Sequence, residues 1–134
     1  MRGRLMDENA PRGKLSLQTI AMPADTNPSG DIFGGWLMAQ MDLGCSVLAR
    51  GRAEGRVATV AVEAMTFHRP VRVGDVVSIH TTLEREGRTS MTIAAEVWAT
   101  RQPEGRRVKV TEGRFVFVAV DGEGKPRPLP GLRP

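Results

Sequence analysis

Apolar positions along this chain fall into one run with helical spacing and several runs with the period of a strand. Residues 14–22, KLSLQTIAM, put Leu15 and Leu17 on one face ahead of a Thr-Ile pair, and Pro23 stops the run, which predicts a first strand. Residues 24–31 then gather Asp25, Asn27, Pro28, Ser29 and Gly30, the chemistry of a structured turn. From Gly34 to Ala49 the spacing is helical. Leu37, Met41 and Leu48 form one stripe, Trp36, Leu43 and Val47 a second, and Met38, Cys45 and Ala49 share a face with Asp42. A helix that is apolar on nearly every side needs cover on nearly every side. One small sheet can cover only part of it, so a second subunit is expected on the remaining flank. Arg50, Gly51 and Arg52 read as its end, a basic last turn with a glycine at the stop.

Everything downstream has strand character. Residues 56–67, RVATVAVEAMTF, are β-rich with both faces largely apolar. Residues 76–85 alternate, Val77, Ile79 and Leu83 inward against Ser78, His80 and Glu84 outward. Glu86, Gly87 and Arg88 make a hairpin loop. Residues 90–100 alternate again, Met91, Ile93, Ala95, Val97 and Ala99 against Thr92, Glu96 and Trp98, and residues 108–120 form the last strand. The order β-α-β-β-β-β with short connections favours an antiparallel sheet. It predicts an α+β fold in which the sheet wraps around the helix; a sandwich with the helix on an open face fits the same pattern. Residues 1–13 are charged and contain Gly and Pro, and are expected to be flexible. The folded unit is expected over 14–124, and residues 125–134, with four prolines, are expected to be an extended or disordered tail.

Composition narrows the partners. A chain of 134 residues suits one domain. Its formal charge of +4 favours an anionic partner, whether phosphorylated cofactor, nucleic acid or membrane surface. Six aromatic residues and no Tyr argue against a stacking platform for single-stranded nucleic acid. No apolar run nears the ~20 residues of a membrane span, and residues 1–14 have no apolar core of the signal-peptide kind. One cysteine excludes an internal disulfide framework and fits a cytoplasmic chain.

Asp42 is the residue that most needs a reason. It lies about two turns inside the apolar helix, past the first-turn zone where the macrodipole stabilises an acid. Its neighbours three and four residues away are Met38, Ala39, Cys45 and Ser46, none able to neutralise it. A carboxylate without a nearby cation suits a general base or a poised nucleophile; a structural acid held by loop amides or a distant Arg is the alternative, and the pattern does not choose. Gly34 and Gly35 leave backbone N–H groups uncovered at the helix start, where an anion or an oxyanion can sit; for the pair taken alone, a tight turn or close packing is the favoured explanation. Asn27 can orient a water or a carbonyl, or simply close an Asx-turn. Cys45, mid-helix among apolar residues, reads as a small buried side chain. Two histidines and one cysteine do not make a zinc site, so no metal is expected. Arg69, Arg72, Arg85, Arg88, Arg106 and Arg107 lie near strand ends, with Arg88, Thr89 and Ser90 offering a guanidinium and two hydroxyls to a phosphate. For each arginine alone, a solvated surface is the simpler reading.

The stretch ADTNPSGDIFGGWLMAQMD resembles the signature of the short bacterial acyl-CoA thioesterases of the hotdog-fold superfamily, the YciA type. VATVAVEAMTFHRPVRVGDVV, GRTSMTIAAEVWA, TEGRFVFVAVD and GKPRPLP match the family's pattern in order, so the resemblance spans residues 15–130. It implies an antiparallel sheet wrapped round a central helix and homodimers with active sites at the interface, often gathered as a trimer of dimers into a hexamer. By the same resemblance Asp42 matches the catalytic carboxylate and Asn27 the catalytic asparagine, the two coming from opposite subunits. Gly34 and Gly35 match the helix start that polarises the thioester carbonyl. Arg88, Thr89 and Ser90 are the expected contacts for the phosphates of coenzyme A, which enters as part of the substrate; no resident cofactor is implied. The implied reaction is hydrolysis of acyl-CoA to a free fatty acid and CoA, with Asp42 as base or as nucleophile. A hotdog module that binds acyl-CoA without cleaving it is the alternative, and a nucleic-acid binder, suggested by charge alone, lacks any reading motif.

Overall fold

The computed structural model describes residues 10–131. Most of the segment expected to be flexible, residues 1–9, and the tail's last three residues lie outside that range. The elements are β1 (Lys14–Ile20), a 3-10 turn (Pro23–Asp25), α1 (Gly34–Ala53), β2 (Val57–Phe67), β3 (Val76–Glu86), β4 (Ser90–Arg101) and β5 (Arg106–Ala119). The strands make one sheet in the order β1-β3-β4-β5-β2, antiparallel at every step.

The helix touches all five strands. Five strands at about 4.8 Å spacing span roughly 19 Å, whereas a helix is about 10–12 Å across. A flat sheet could not bring both of its edges to one helix, so the sheet curls around α1. This is the wrapped α+β arrangement, not the open sandwich. Leu37, Met41, Cys45, Ala49 and Ala53, each four residues apart, form the face of α1 turned to the sheet, none more than 3% exposed. Gly44 lets the helix come close: a Cβ there would stand 2.8 Å from the Ile79 side chain.

Sequence expectation and structure differ at three places. The helix does not stop at Gly51. It runs to Ala53, which is buried, and ends at Glu54, whose φ of 53° is left-handed and whose amide returns to the Arg50 carbonyl. A glycine inside a helix costs only about 1 kcal/mol, which the burial of Ala53 offsets. Trp98 points away from the helix as expected, yet is only 3% exposed, because the Arg107 guanidinium lies 5.6 Å above its ring and its Nε1 donates to Glu96 at 2.9 Å. The described part of the tail is extended but docked: Leu129 is 2% exposed and its amide donates to the Arg88 carbonyl at 2.9 Å.

Strand β2, apolar on both faces, is an edge strand, with Val60 57%, Val62 41% and Phe67 49% exposed. On α1, Leu43 and Val47 are open as well. The register against β5 shifts twice along β2, and within the second shift Ala64 adopts a φ of 52°.

Candidate active site

Asp42 projects from α1 toward β2 and is half-buried. It is not without a partner: the Thr59 hydroxyl donates to Asp42 Oδ1 at 2.7 Å. Thr59 faces the helix because its register partner, Phe117, is an inward residue of β5. Helical spacing could not reveal this, since the donor comes from a different element. Oδ1 is engaged by the hydroxyl, which sets the carboxylate's orientation, while no described residue donates to Oδ2.

The Asn27 loop is built by its own side chain. Asn27 Oδ1 accepts the amides of Ser29 at 2.9 Å and Asp31 at 3.1 Å, an Asx-type closure, and the chain recrosses itself in the bridge from Thr26 to Ile32. The two readings of Asn27 are compatible. Its oxygen holds the loop, which leaves the NH2 group, with no described acceptor, as a donor in a fixed place.

At the helix start, the Trp36 and Leu37 amides both return to the Phe33 carbonyl. No described group accepts from the amides of Gly34 or Gly35, the expected state of a first turn. Gly35 is exposed with open space where a Cβ would be, while the Phe67 ring stands 3.5 Å from the Cβ position of Gly34. A cavity of about 330 Å³ opens beside it, lined by Ile32, Gly34, Leu37, Phe67 and Val71 among others. A larger depression of about 590 Å³ lies on the opposite face of the sheet among Arg12, Glu84, Glu96, Glu112 and Arg114, too charged for an apolar chain.

Within one chain these parts are not all together. Gly34 and Asp42 are eight residues apart on α1, about 12 Å at 1.5 Å per residue, and Phe67 ends the strand on which Thr59 lies near the start.

The remaining candidates resolve by chemistry. Burial, helped by the Asp42 charge, pushes the Cys45 thiol up to about 12, so almost no thiolate exists near neutral pH. His68 bonds Glu112 at 2.7 Å and the His80 ring lies against the Gly13 carbonyl. Among the described residues no three His, Cys, Asp or Glu side chains converge as a metal site would require. Arg69 donates to the Lys109 carbonyl and Arg107 covers Trp98, so both are structural. Arg88 is exposed, with no described side-chain partner, next to the half-buried Thr89 and Ser90. No described helix is long and apolar enough to cross a membrane.

A model of the thioesterase superfamily matches residues 29–105. The acyl-CoA thioester hydrolase YciA of Salmonella typhimurium is 57% identical over 126 residues, 92% of this chain and 95% of that protein. Among solved structures, the hexameric thioesterase of Yersinia pestis superposes with a TM-score of 0.87 at 53% identity, covering 91% of this chain and all of that one. An aspartate-to-alanine variant of a hexameric broad-specificity acyl-coenzyme A thioesterase gives 0.88 at 50% identity, covering 90% of this chain and 88% of that one. Wrapped sheet, central helix and these likenesses agree: the chain belongs to the thioesterase superfamily, as a hotdog-fold member of the YciA-type acyl-CoA hydrolases.

Proposed function

We propose that this chain hydrolyses acyl-CoA at a site shared between two copies, with Asp42 as the general base. The hydrogen bond from Thr59 to Asp42 carries the reading. It orients a carboxylate at a flank where helix and edge strand are both left apolar and uncovered among the described residues. If β2 pairs antiparallel with the β2 of a second copy about a two-fold near mid-strand, the Thr59 end of one strand lies beside the Phe67 end of the other. Asp42 and Thr59 of one copy then face Asn27, Gly34, Gly35 and the cavity of its partner. The same contact covers Val60, Val62, Leu43 and Val47.

In that arrangement the acyl chain enters the cavity beside Gly34 and the thioester oxygen meets the free amides of the glycine pair. Such a donor is worth about 2.7–4 kcal/mol in a transition state. Asp42 Oδ2 takes the proton from a water held by the Asn27 NH2 group, the hydroxide adds to the carbonyl, and the CoA thiolate leaves. The scheme assigns no resident cofactor. Arg88, Thr89 and Ser90 meet the CoA phosphates by charge and hydroxyl donation, and the lone buried thiol is compatible with a cytoplasmic setting. Relatives named as hydrolases weigh against a module that only binds.

Replacing Asp42 with Asn keeps its shape and removes the base. CoA release from a panel of acyl-CoAs should fall about 10³-fold in a protein that still melts cooperatively; near-native turnover would sink the assignment. A single turnover in ¹⁸O-water tests the base: the label should appear in the fatty acid and not on Asp42, whereas label on the Asp42 carboxylate would show direct attack followed by opening of the anhydride at the aspartyl carbon. A monomer by light scattering at micromolar concentration would contradict the shared site.

A further inference from the structure

The end of α1 away from the glycine pair is closed by the tail. After Ala119 the chain turns on Asp121, whose Oδ1 accepts the amides of Glu123 and Lys125, both at 2.9 Å. The Arg127 amide then donates to the Ala119 carbonyl and its Nε to the Val120 carbonyl, each at 2.9 Å. Two residues later Leu129 enters the core and its amide reaches the Arg88 carbonyl. Arg52, from the last turn of α1, donates to the Pro130 carbonyl at 2.9 Å while its other nitrogens grip Glu86 at the base of the same hairpin. On the hairpin's remaining side the Ala119 amide donates to the Thr89 carbonyl at 2.9 Å.

Residues 86–90 are therefore tied to the helix at the Glu86 carboxylate by Arg52, and their backbone is held at the Arg88 carbonyl by Leu129 of the tail and at the Thr89 carbonyl by Ala119 of β5. The Arg88 guanidinium and the Thr89 and Ser90 hydroxyls, by contrast, have no described partner. A hairpin tip with no such ties is among the more mobile parts of a fold, and a long guanidinium side chain loses much freedom when it binds. Fixing its backbone beforehand reduces that loss.

We infer that the tail is a strap that positions Arg88 for the nucleotide phosphates, with Leu129 and Arg52 as the positioning residues. This rests on the reading of Arg88, Thr89 and Ser90 as the phosphate contacts. The strap touches none of the reacting atoms, so its effect is on KM for substrates that carry the nucleotide.

The test compares each acyl-CoA with the matching acyl-pantetheine thioester, which has the same reacting bond and no nucleotide. Leu129→Ala and Arg52→Gln should raise KM for acyl-CoA roughly tenfold with kcat little changed, leave both constants for acyl-pantetheine as they were, and Leu129→Met should restore the native value. An equal change on both substrates, or no change on either, overturns the strap. If Leu129→Ala does not fold, Arg52→Gln carries the same comparison. Arg88→Ala separates the two levels: if it raises KM for acyl-CoA while the strap variants do not, the strap alone fails. If Arg88→Ala changes nothing, the phosphate assignment fails and the strap with it.

Discussion

Strands β4 and β2 carry comparable apolar loads and meet opposite surroundings. In β4, Met91, Ile93, Ala95, Val97 and Ala99 are at most 1% exposed, and the other face is shut by Glu96, Trp98 and the Arg107 guanidinium. In β2, Val60, Val62 and Phe67 stand in the open although both faces are as hydrophobic. The strands differ in sheet position: β4 has β3 and β5 beside it, β2 has only β5. An edge of this kind invites another strand. Two bulges and a left-handed Ala64 limit how a partner can pair there. In β4, apolar character is used up by the fold of the single chain; in β2 part of it is left open, which is the ground for the proposal that a second copy pairs there.

Val62→Asp should have the largest effect. It sets like charges against each other across a two-fold while leaving the single chain's core intact. The expected result is monomers by light scattering and a loss of hydrolysis on the order of 10³-fold, as when the base itself is removed, with a cooperative melt retained. A variant still assembled and active would mean that β2 is not the contact. Ile93→Ala in β4 should do the reverse. Chemical denaturation should report a loss of about 2–5 kcal/mol, and the folded fraction should assemble and turn over normally. A drop in association with unchanged stability would erase the distinction between the strands. The smallest effect is at Ala64→Gly, where relief of a left-handed alanine should raise stability by about 1 kcal/mol, visible as a higher urea midpoint. A lower midpoint would show that this conformation is not strained.

Much of this was legible in the residues, for physical reasons. Alternation in β3 and β4 is clear because one face meets the helix and the other meets polar groups. The helix declares itself because apolar residues recur at helical spacing from Trp36 to Ala49, although the face that meets the sheet combines residues of two of those stripes, Leu37 and Met41 with Cys45 and Ala49. Asp42 stood out because nothing on its own helix answered it. Thr59 did not, since a threonine in a β-rich run is ordinary until the register against β5 turns it toward α1. The tail misled by composition: its prolines signal extended chain correctly, but the burial of Leu129 depends on a groove made by distant segments. The helix end misled too, because a glycine's local preference is weak beside the packing of Ala53. The openness of β2 was outside the reach of pattern, which gives hydrophobicity but not a strand's place in the sheet.

The buried thiol has a practical consequence. Cys45 is the one cysteine of the chain, lies at 0% exposure on the helix face seated against the sheet, and keeps its proton. A colourless disulfide reagent that releases a coloured ion can reach it only when α1 lifts from the strands. The rate of colour development in native buffer is then a clock for that opening, built into each subunit without any added label.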